Sequence, residues 1–336
     1  MATFYQTTAR RLRQYYHFSD DTINAVARFA EKQKAYATYQ DFFGAVGMPP
    51  VTVYKIGPKQ GAAVIDIVPK GVTSRVIVVH LPMGNPLDPN QQYQLATLAG
   101  MFPDARIIGF GNPSGEPYKH HEHDLRFLQK VGIASGLRPR ALVEAELAYL
   151  QEQGITQAVY VGYSYGALKA LVAASYSPEG MVGQLITIEL VSHRRSPFRL
   201  VKDFRRTIEP LASYVDVTGL EMFKIARSDS IDGAEYEQGL HRPINLAIGS
   251  FISACDALKK LERLVRRRSD LRVAMAWGTK SELVDDARMQ QAAAKLERLA
   301  PGRIQALSLA GQMHGLANDV HLHAAIVYEV LRQPLD

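Results

Sequence analysis

The sequence predicts an α/β fold with a mostly parallel central sheet, helices on both of its faces, and a helical cap inserted before the last two strands. Continuous β-branched and apolar runs, such as residues 75–80, are typical of strands that are covered on both faces. Predicted helices alternate with these strands, and that order favours parallel pairing. One predicted strand is also followed by the sequence Gly-Tyr-Ser-Tyr-Gly at residues 162–166 and then by an apolar helix. This order is typical of a sharp strand-to-helix turn.

The composition is typical of a soluble globular protein, with 336 residues of which 47% are hydrophobic and 21% charged. A single cysteine, Cys255, cannot form an internal disulfide, so we expect a reducing, cytoplasmic compartment. Arg10, Arg11 and Arg13 near the start are not followed by the apolar segment of a secretory signal. The net charge of +6 comes with no nucleic-acid-binding motif, so we expect no nucleic-acid partner.

Residues 1–49 are expected to form an N-terminal helical arm. Ile23, Val26 and Ala30 recur on one helical face after Ser19, a residue type that often caps helices. This face is expected to pack on the main domain.

Residues 50–191 and 271–336 are expected to form the α/β core, and residues 192–270 a helical cap, because the alternation of strands and helices stops and then returns. We predict strands at residues 51–56, 62–68, 75–80, from 106, 158–161, 184–191, 271–278 and 304–309, and core helices at 139–153, after 164, at 285–299 and at 318–331.

Ser164 is the candidate nucleophile. A strand, a tight turn and a helix in succession would lift its hydroxyl above the sheet, and Gly162 and Gly166 leave room for the bend. The five-residue pattern is weak alone, but the strand before it and the helix after it are what the pattern requires. The competing interpretation is a strand-to-helix turn that contains a serine without catalytic use.

The strand order, the serine turn and His314 in a loop after the last strand resemble the α/β-hydrolase superfamily. The resemblance covers residues 50–336, with the insertion where that family has its cap. It implies a serine hydrolase of the carboxylesterase or lipase type, acting on a small acyl substrate without metal or organic cofactor. His314 would then be the general base, because an imidazole takes and returns a proton near neutral pH. His321 and His323 are interpreted as capping or loop histidines.

The position of the acid that would orient His314 differs from the commonest pattern of the family. The loop after the seventh strand often carries an aspartate three residues after a glycine, but Ser281 stands at that position here. Glu282 is one residue further along, and Asp285 is a third candidate. Glu189, at the apolar end of the sixth strand, is the first choice, because its placement is similar to that of the acid in haloalkane dehalogenases.

Each acid also has a non-catalytic interpretation. A carboxylate at the position of Glu189 costs several kcal/mol unless it has a donor or a cation as partner, and an imidazole would serve. An ion pair of Glu189 with Arg194 or Arg195 would serve as well. Glu282 could be a solvated loop charge.

The oxyanion formed during acyl transfer needs two N–H donors. Tyr165, which follows the nucleophile, supplies one in this fold. The second donor is expected from the loop after His80, where Pro82 has no N–H to donate. Met83 is the first choice and Leu81 the second.

A histidine-rich segment and two basic clusters each have a structural interpretation besides a functional one. Residues 119–124 are rich in histidine and acid, but they are adjacent in a predicted loop and lack the spacing of a metal site. Basic clusters at residues 193–206 and 259–268 favour the solvated face of a cap, with weak contact to an anionic surface as the alternative.

Two other functions remain open on the sequence. An acyltransferase would use the same residues, and the absence of the seventh-strand aspartate is compatible with a catalytically inactive binding protein.

Overall fold

A computed structural model of the protein describes residues 2–57, 60–82, 87–111, 127–191, 217–229 and 243–332. The strands are β1 (Thr52–Gly57), β2 (Gln60–Ile67), β3 (Arg75–His80), β4 (Ala105–Phe110), β5 (Ala158–Tyr163), β6 (Val182–Ile188), β7 (Arg272–Gly278) and β8 (Ile304–Leu309). The helices are α1 (Phe4–Tyr15), α2 (Asp20–Gln33), α3 (Tyr39–Val46), α4 (Pro89–Met101), α5 (Phe127–Ala134), α6 (Glu144–Glu152), α7 (Tyr165–Tyr176), α8 (Glu221–Ser228), α9 (Pro243–Ala254), α10 (Ala257–Arg267), α11 (Asp286–Leu299) and α12 (Val320–Leu331). Short 3₁₀ turns at Pro139–Leu142 and His314–Asn318 precede α6 and α12.

The strands form one sheet in the order β1-β2-β4-β3-β5-β6-β7-β8. β2 is antiparallel to both of its neighbours, whereas β4, β3, β5, β6, β7 and β8 are parallel. The predicted fold class is therefore confirmed. Parallel strands end at the same edge of a sheet, so the loops after β3, β5, β6, β7 and β8 meet there.

Helices cover both faces of the sheet, and β5 shows why its sequence is apolar throughout. Successive side chains of a strand point to opposite faces. Tyr160 joins a core that includes Leu171 of α7, whereas Val161 joins the opposite core with Ile326 of α12. Both faces of β5 are buried, so apolar side chains are favoured at every position along the strand.

The N-terminal segment forms three helices, α1 to α3. Ser19 caps α2 by accepting a hydrogen bond from the Thr22 amide, and Ile23, Val26 and Ala30 are buried as their spacing predicts. The buried face of α2 packs on α12 and α4. These helices therefore lie directly on the core.

The described part of the predicted cap consists of α8, α9 and α10. α8 packs on α3 and α4, and α9 packs on α5. α10 buries Leu261, Leu264 and Val265 against α7 and α11, while Arg263 and Arg267 are exposed. The amphipathic character of α10 thus matches its position on a helix layer of the core, and the first basic cluster lies outside the described residues.

In the ranges that the structure describes, none of the helices combines the length and apolar character needed to cross a membrane.

Three ionisable side chains are buried behind the turn that carries Ser164. Lys169 of α7 is ion-paired with Glu146 of α6, and its Nζ lies 3.3 Å from the carbonyl oxygen of Gly111. His80 Nδ1, at the end of β3, lies 3.3 Å from Glu146 Oε2. Burial lowers the pKa of His80, which favours the neutral ring. Burial alone would raise the pKa of Glu146, but Lys169 and His80 lower it, so its carboxylate stays ionised.

Substitution of Lys169 is expected to destabilise the protein because it leaves the buried carboxylate of Glu146 without its cation. Lys169→Met is expected to lower the free energy of unfolding by about 3–5 kcal/mol, measured by urea denaturation. The double variant Lys169→Met/Glu146→Gln removes both charges and is expected to recover most of that loss. A single variant as stable as the double variant would contradict the account.

Candidate active site

Ser164 occupies the turn between β5 and α7 in a strained backbone conformation. Its φ is 57° and its ψ is −122°, a region that few residues other than glycine adopt. The Ser164 amide donates to the carbonyl oxygen of Ile188 at 2.8 Å, and the Ala167 amide donates to the Ser164 carbonyl at 3.0 Å. These bonds tie the turn both to β6 and to its own helix.

The two glycines of the turn are required by close backbone approach. A Cβ atom on Gly162 would overlap the carbonyl oxygen of Gly166, and a Cβ atom on Gly166 would overlap the carbonyl oxygen of His80. Any larger residue would have to move main chain rather than a side chain. The predicted reason for both glycines, room for the bend, therefore agrees with the geometry.

Ser164, His314 and Glu189 are joined by hydrogen bonds at the carboxyl edge of the sheet. Ser164 Oγ lies 2.8 Å from His314 Nε2, and His314 Nδ1 lies 2.8 Å from Glu189 Oε2. All three residues are buried, and Glu189 has no exposed surface. A carboxylate can only accept, so Nδ1 carries the ring proton and Nε2 of the neutral imidazole can accept from the serine hydroxyl.

Glu189 follows β6, which ends at Ile188 rather than continuing to residue 191 as predicted. Its φ of 55° turns the chain out of the strand, and its amide donates to the Ala276 carbonyl at 2.8 Å. The carboxylate accepts from the Gly278 amide at 2.6 Å, from Ser281 Oγ at 2.5 Å and from His314. Three donors compensate for the burial of its charge.

Ser281 is a site residue whose contact the sequence did not reveal. It stands in the loop after β7, at the position where the family often has an aspartate, and its hydroxyl donates to Glu189 Oε2. The sequence drew attention to Ser281 only because it stands at a position where the family often has an aspartate. The structure shows that this loop contacts the carboxylate supplied by the neighbouring strand.

Glu282 and Asp285 do not contact the imidazole. Glu282 Oε2 lies 3.4 Å from the backbone nitrogen of His314, and no hydrogen bond joins it to the ring. Asp285 is exposed and caps α11 by accepting from the Arg288 amide at 2.8 Å. Of the three candidate acids, Glu189 is the one hydrogen-bonded to the ring of His314, whereas Glu282 accepts from the His314 backbone amide. The alternative ion pair of Glu189 with Arg194 or Arg195 lies outside the described residues.

Tyr163 also contacts His314, and sequence reasoning missed it. Its hydroxyl donates to the His314 carbonyl oxygen at 2.7 Å, and the two ring centroids are 5.6 Å apart with an interplanar angle of 32°. The residue before the serine therefore contacts both the main chain and the ring of the histidine.

His321 and His323 are neither capping nor loop residues, contrary to the prediction. Both lie in α12 and are buried, and Asp319 is the residue that caps this helix. Burial lowers the pKa of His323 to about 4. Burial also lowers the pKa of His321 well below its usual value, so both rings are neutral at pH 7.

The structure describes two of the three candidate oxyanion donors. Tyr165 is the first residue of α7, so its amide has no acceptor within the helix. Leu81 is buried, and its carbonyl oxygen lies close to Gly166 in the turn after Ser164. Met83 lies outside the described residues.

Within the described ranges, no group of three or more histidine, cysteine, aspartate or glutamate residues could hold a metal ion. The histidine-rich residues 119–124 fall outside those ranges.

The chain was compared with family models, curated proteins and solved structures. Neither the family models nor the curated proteins give a match. Among solved structures, the chain is similar to the enol-lactonase from Burkholderia xenovorans LB400, with 13% identity, coverage of 84% of this chain and 100% of that chain, and a TM-score of 0.58. A thermophilic esterase from Thermogutta terrifontis matches with 13% identity, coverage of 85% and 99%, and a TM-score of 0.54. The thioesterase domain from the curacin biosynthetic pathway matches with 14% identity, coverage of 84% and 98%, and a TM-score of 0.53. Together with the strand order, these matches show that the chain has the α/β-hydrolase fold.

Proposed function

We propose that the protein is a serine hydrolase that cleaves a carboxylic ester, or a thioester or amide, through an acyl-enzyme on Ser164. The observation that carries this proposal is the continuous hydrogen-bond chain from Glu189 through His314 to Ser164 on a strained strand-to-helix turn. A buried acid, an imidazole and a hydroxyl in this order are the components of an activated serine nucleophile.

In the proposed reaction, Ser164 Oγ attacks the acyl carbon while its proton passes to His314 Nε2. Glu189 holds the Nδ1–H and stabilises the imidazolium that forms. The Tyr165 amide, with Met83 as the proposed second donor, binds the oxyanion. The leaving alcohol takes the proton from Nε2. Water then attacks the acyl-enzyme with His314 as base, which releases the acid and restores the serine.

The solved structures support the same chemical class without fixing the substrate. Their names include a lactonase, an esterase and a thioesterase, whose reactions share hydrolysis of an acyl bond to oxygen or sulfur. One fold hosts many activities, so the proposal depends on the site itself. The proposed partner is a small acyl substrate, and the mechanism uses only side chains and main chain.

The two alternatives make different demands on the site. An inactive binding protein would not need an acid, an imidazole and a serine aligned at hydrogen-bond distance, and Glu189 supplies the carboxylate that the loop after β7 lacks. An acyltransferase would use the same nucleophile and differ in the acceptor. Product analysis in water with and without an added alcohol separates hydrolysis from transfer.

Ser164→Ala is expected to abolish labelling by a fluorophosphonate and to lower kcat on short chromogenic esters by about 10⁴-fold or more, because the nucleophile is lost. Gel fluorescence and ester turnover measure the two effects. Ser175→Ala is the matched control, since Ser175 lies on the same helix and its hydroxyl donates to the Leu171 carbonyl at 2.7 Å, away from Ser164 and His314. A wild-type protein that neither labels nor turns over any ester would contradict the proposal.

Glu189→Gln is expected to lower kcat by about 10²- to 10⁴-fold, because the amide no longer provides a charge to stabilise the imidazolium. Glu282→Gln, at the neighbouring candidate, is expected to change kcat by less than about tenfold, since its carboxylate does not contact the ring. Steady-state kinetics on one ester compares the two. Full activity in the first variant with loss in the second would assign the acid to Glu282.

A further inference from the structure

Helix α1 contacts both ends of the segment that carries His314. We define the His314 loop as residues 310–319, between β8 and α12. Before the histidine, the Ala310 amide donates to the Tyr15 carbonyl oxygen at the end of α1, at 2.7 Å. After the histidine, Arg11 Nη2 donates to Asp319 Oδ1 at 3.2 Å. Two turns of one helix thus bond to positions nine residues apart that flank His314.

Arg11 makes polar contacts with three residues in two distant parts of the chain. Besides Asp319, its Nη2 lies 3.1 Å from His321 Nδ1, and its Nη1 donates to the Val217 carbonyl oxygen. Arg11 is 9% exposed although it lies on a helix at the start of the chain. Arg13, on the same helix, is exposed and pairs with Asp20, which is also exposed, at 3.3 Å.

Asp319 connects this contact to α12. Its Oδ1 accepts from the amides of His321 at 3.1 Å and Leu322 at 3.2 Å, so it caps the helix that follows the His314 loop. Burial raises the pKa of Asp319, and the positive charge of Arg11 opposes that shift. The arginine therefore favours the ionised carboxylate that the cap uses.

The donors and acceptors around Arg11 form one consistent chain. His321 is neutral, and because the guanidinium can only donate, Nδ1 of His321 accepts from it. Nε2 therefore carries the proton and donates to Gln33 Oε1 at 2.8 Å. Gln33 Nε2 in turn donates to Thr97 Oγ1 at 3.2 Å. The hydrogen-bond chain reaches α2 and α4, so the position of Arg11 is fixed by one further N-terminal helix, α2, and by two core helices, α4 and α12.

The other side of the His314 loop is fixed by the residues that follow β7. The Gly311 amide donates to Thr279 Oγ1 at 2.9 Å, and the Lys280 amide donates to the Gln312 carbonyl at 2.9 Å. Among the described residues β8 is the edge strand of the sheet, and none of the other described strands supports the loop on the side of α1. The contacts of Arg11 and Tyr15 supply that missing support.

We propose that Arg11 is a positioning residue: through Asp319, and together with the Tyr15 carbonyl, α1 holds the His314 loop so that Nε2 of His314 stays in line with Ser164. This inference rests on the proposed function for its catalytic consequence. It also gives the N-terminal helices a role in the reaction, since a helix that only covered apolar surface would need no buried polar contacts with this loop. Displacement of a catalytic group by about 1 Å can cost about 10²-fold in rate.

The test compares Arg11→Met/Asp319→Asn with the control Arg13→Met on the same helix. The double variant avoids an unpaired buried charge, and asparagine retains a side-chain oxygen for capping α12. Arg11→Lys keeps the charge but not the fork of donors. Thermal unfolding, hydrogen–deuterium exchange of residues 310–319, and kcat and KM on one ester are measured for each.

In the double variant we expect amide exchange in residues 310–319 to accelerate by about tenfold or more. We expect kcat to fall by about 10- to 100-fold, with KM changed by less than about threefold. Arg11→Lys is expected to lie between the double variant and the wild type, and Arg13→Met to match the wild type in every measurement. A double variant with wild-type kcat would overturn the catalytic part of the proposal whatever its melting temperature, because Arg11 would then contribute at most to stability.

Failure of the proposed function would give a different result. A wild type that neither labels with fluorophosphonate nor hydrolyses esters would remove the catalytic role of His314. The exchange data, which need no substrate, would then decide the structural part of the inference. Unchanged exchange at residues 310–319 in the double variant would overturn that part.

Discussion

The site depends on the hydrogen bond between Glu189 and His314. It joins a carboxylate at the end of β6 to an imidazole beyond β8, across 125 residues of sequence. A fully buried carboxylate is unfavourable unless donors surround it, and the Gly278 amide and Ser281 hydroxyl supply two more. The same bond fixes the ring proton on Nδ1 and leaves Nε2 free to accept from Ser164. The alignment of the serine, and with it the proposed chemistry, follows from this one interaction.

The fold provides the geometry for that interaction because its parallel strands end at one edge. β5 delivers Ser164, β6 delivers Glu189, and the loop after β8 delivers His314. β8 is the edge strand of the sheet among the described residues. The residues after β7 support the His314 loop on one side, and α1 contacts it on the other through Arg11 and Tyr15. Helices outside the sheet thus contribute to the precision of a site that the strands define.

Local pattern and sheet order were enough to predict the fold and the placement of Ser164 and His314 in loops at one edge of the sheet, because each depends on neighbours in sequence or on strand periodicity. They were not enough to choose among Glu189, Glu282 and Asp285, since that choice depends on which carboxylate reaches a ring 29 to 125 residues away. In the sequence, Arg11 is one of several basic residues near the N-terminus, and nothing nearby indicates a buried partner. Its partner Asp319 lies 308 residues further along the chain. Buried polar contacts of such separation leave no periodic signal in the sequence.

The most direct test of this account is the protonation pattern of the His314 ring, measured by ¹⁵N NMR of histidine-labelled protein at neutral pH and assigned with His314→Gln. We expect a proton on Nδ1 of the neutral ring, held by Glu189, and an unprotonated Nε2 facing Ser164. In Glu189→Gln that preference for Nδ1 is expected to weaken or be lost. A wild-type ring that carries its proton on Nε2, or one unaffected by Glu189→Gln, would contradict the central role of the Glu189–His314 bond.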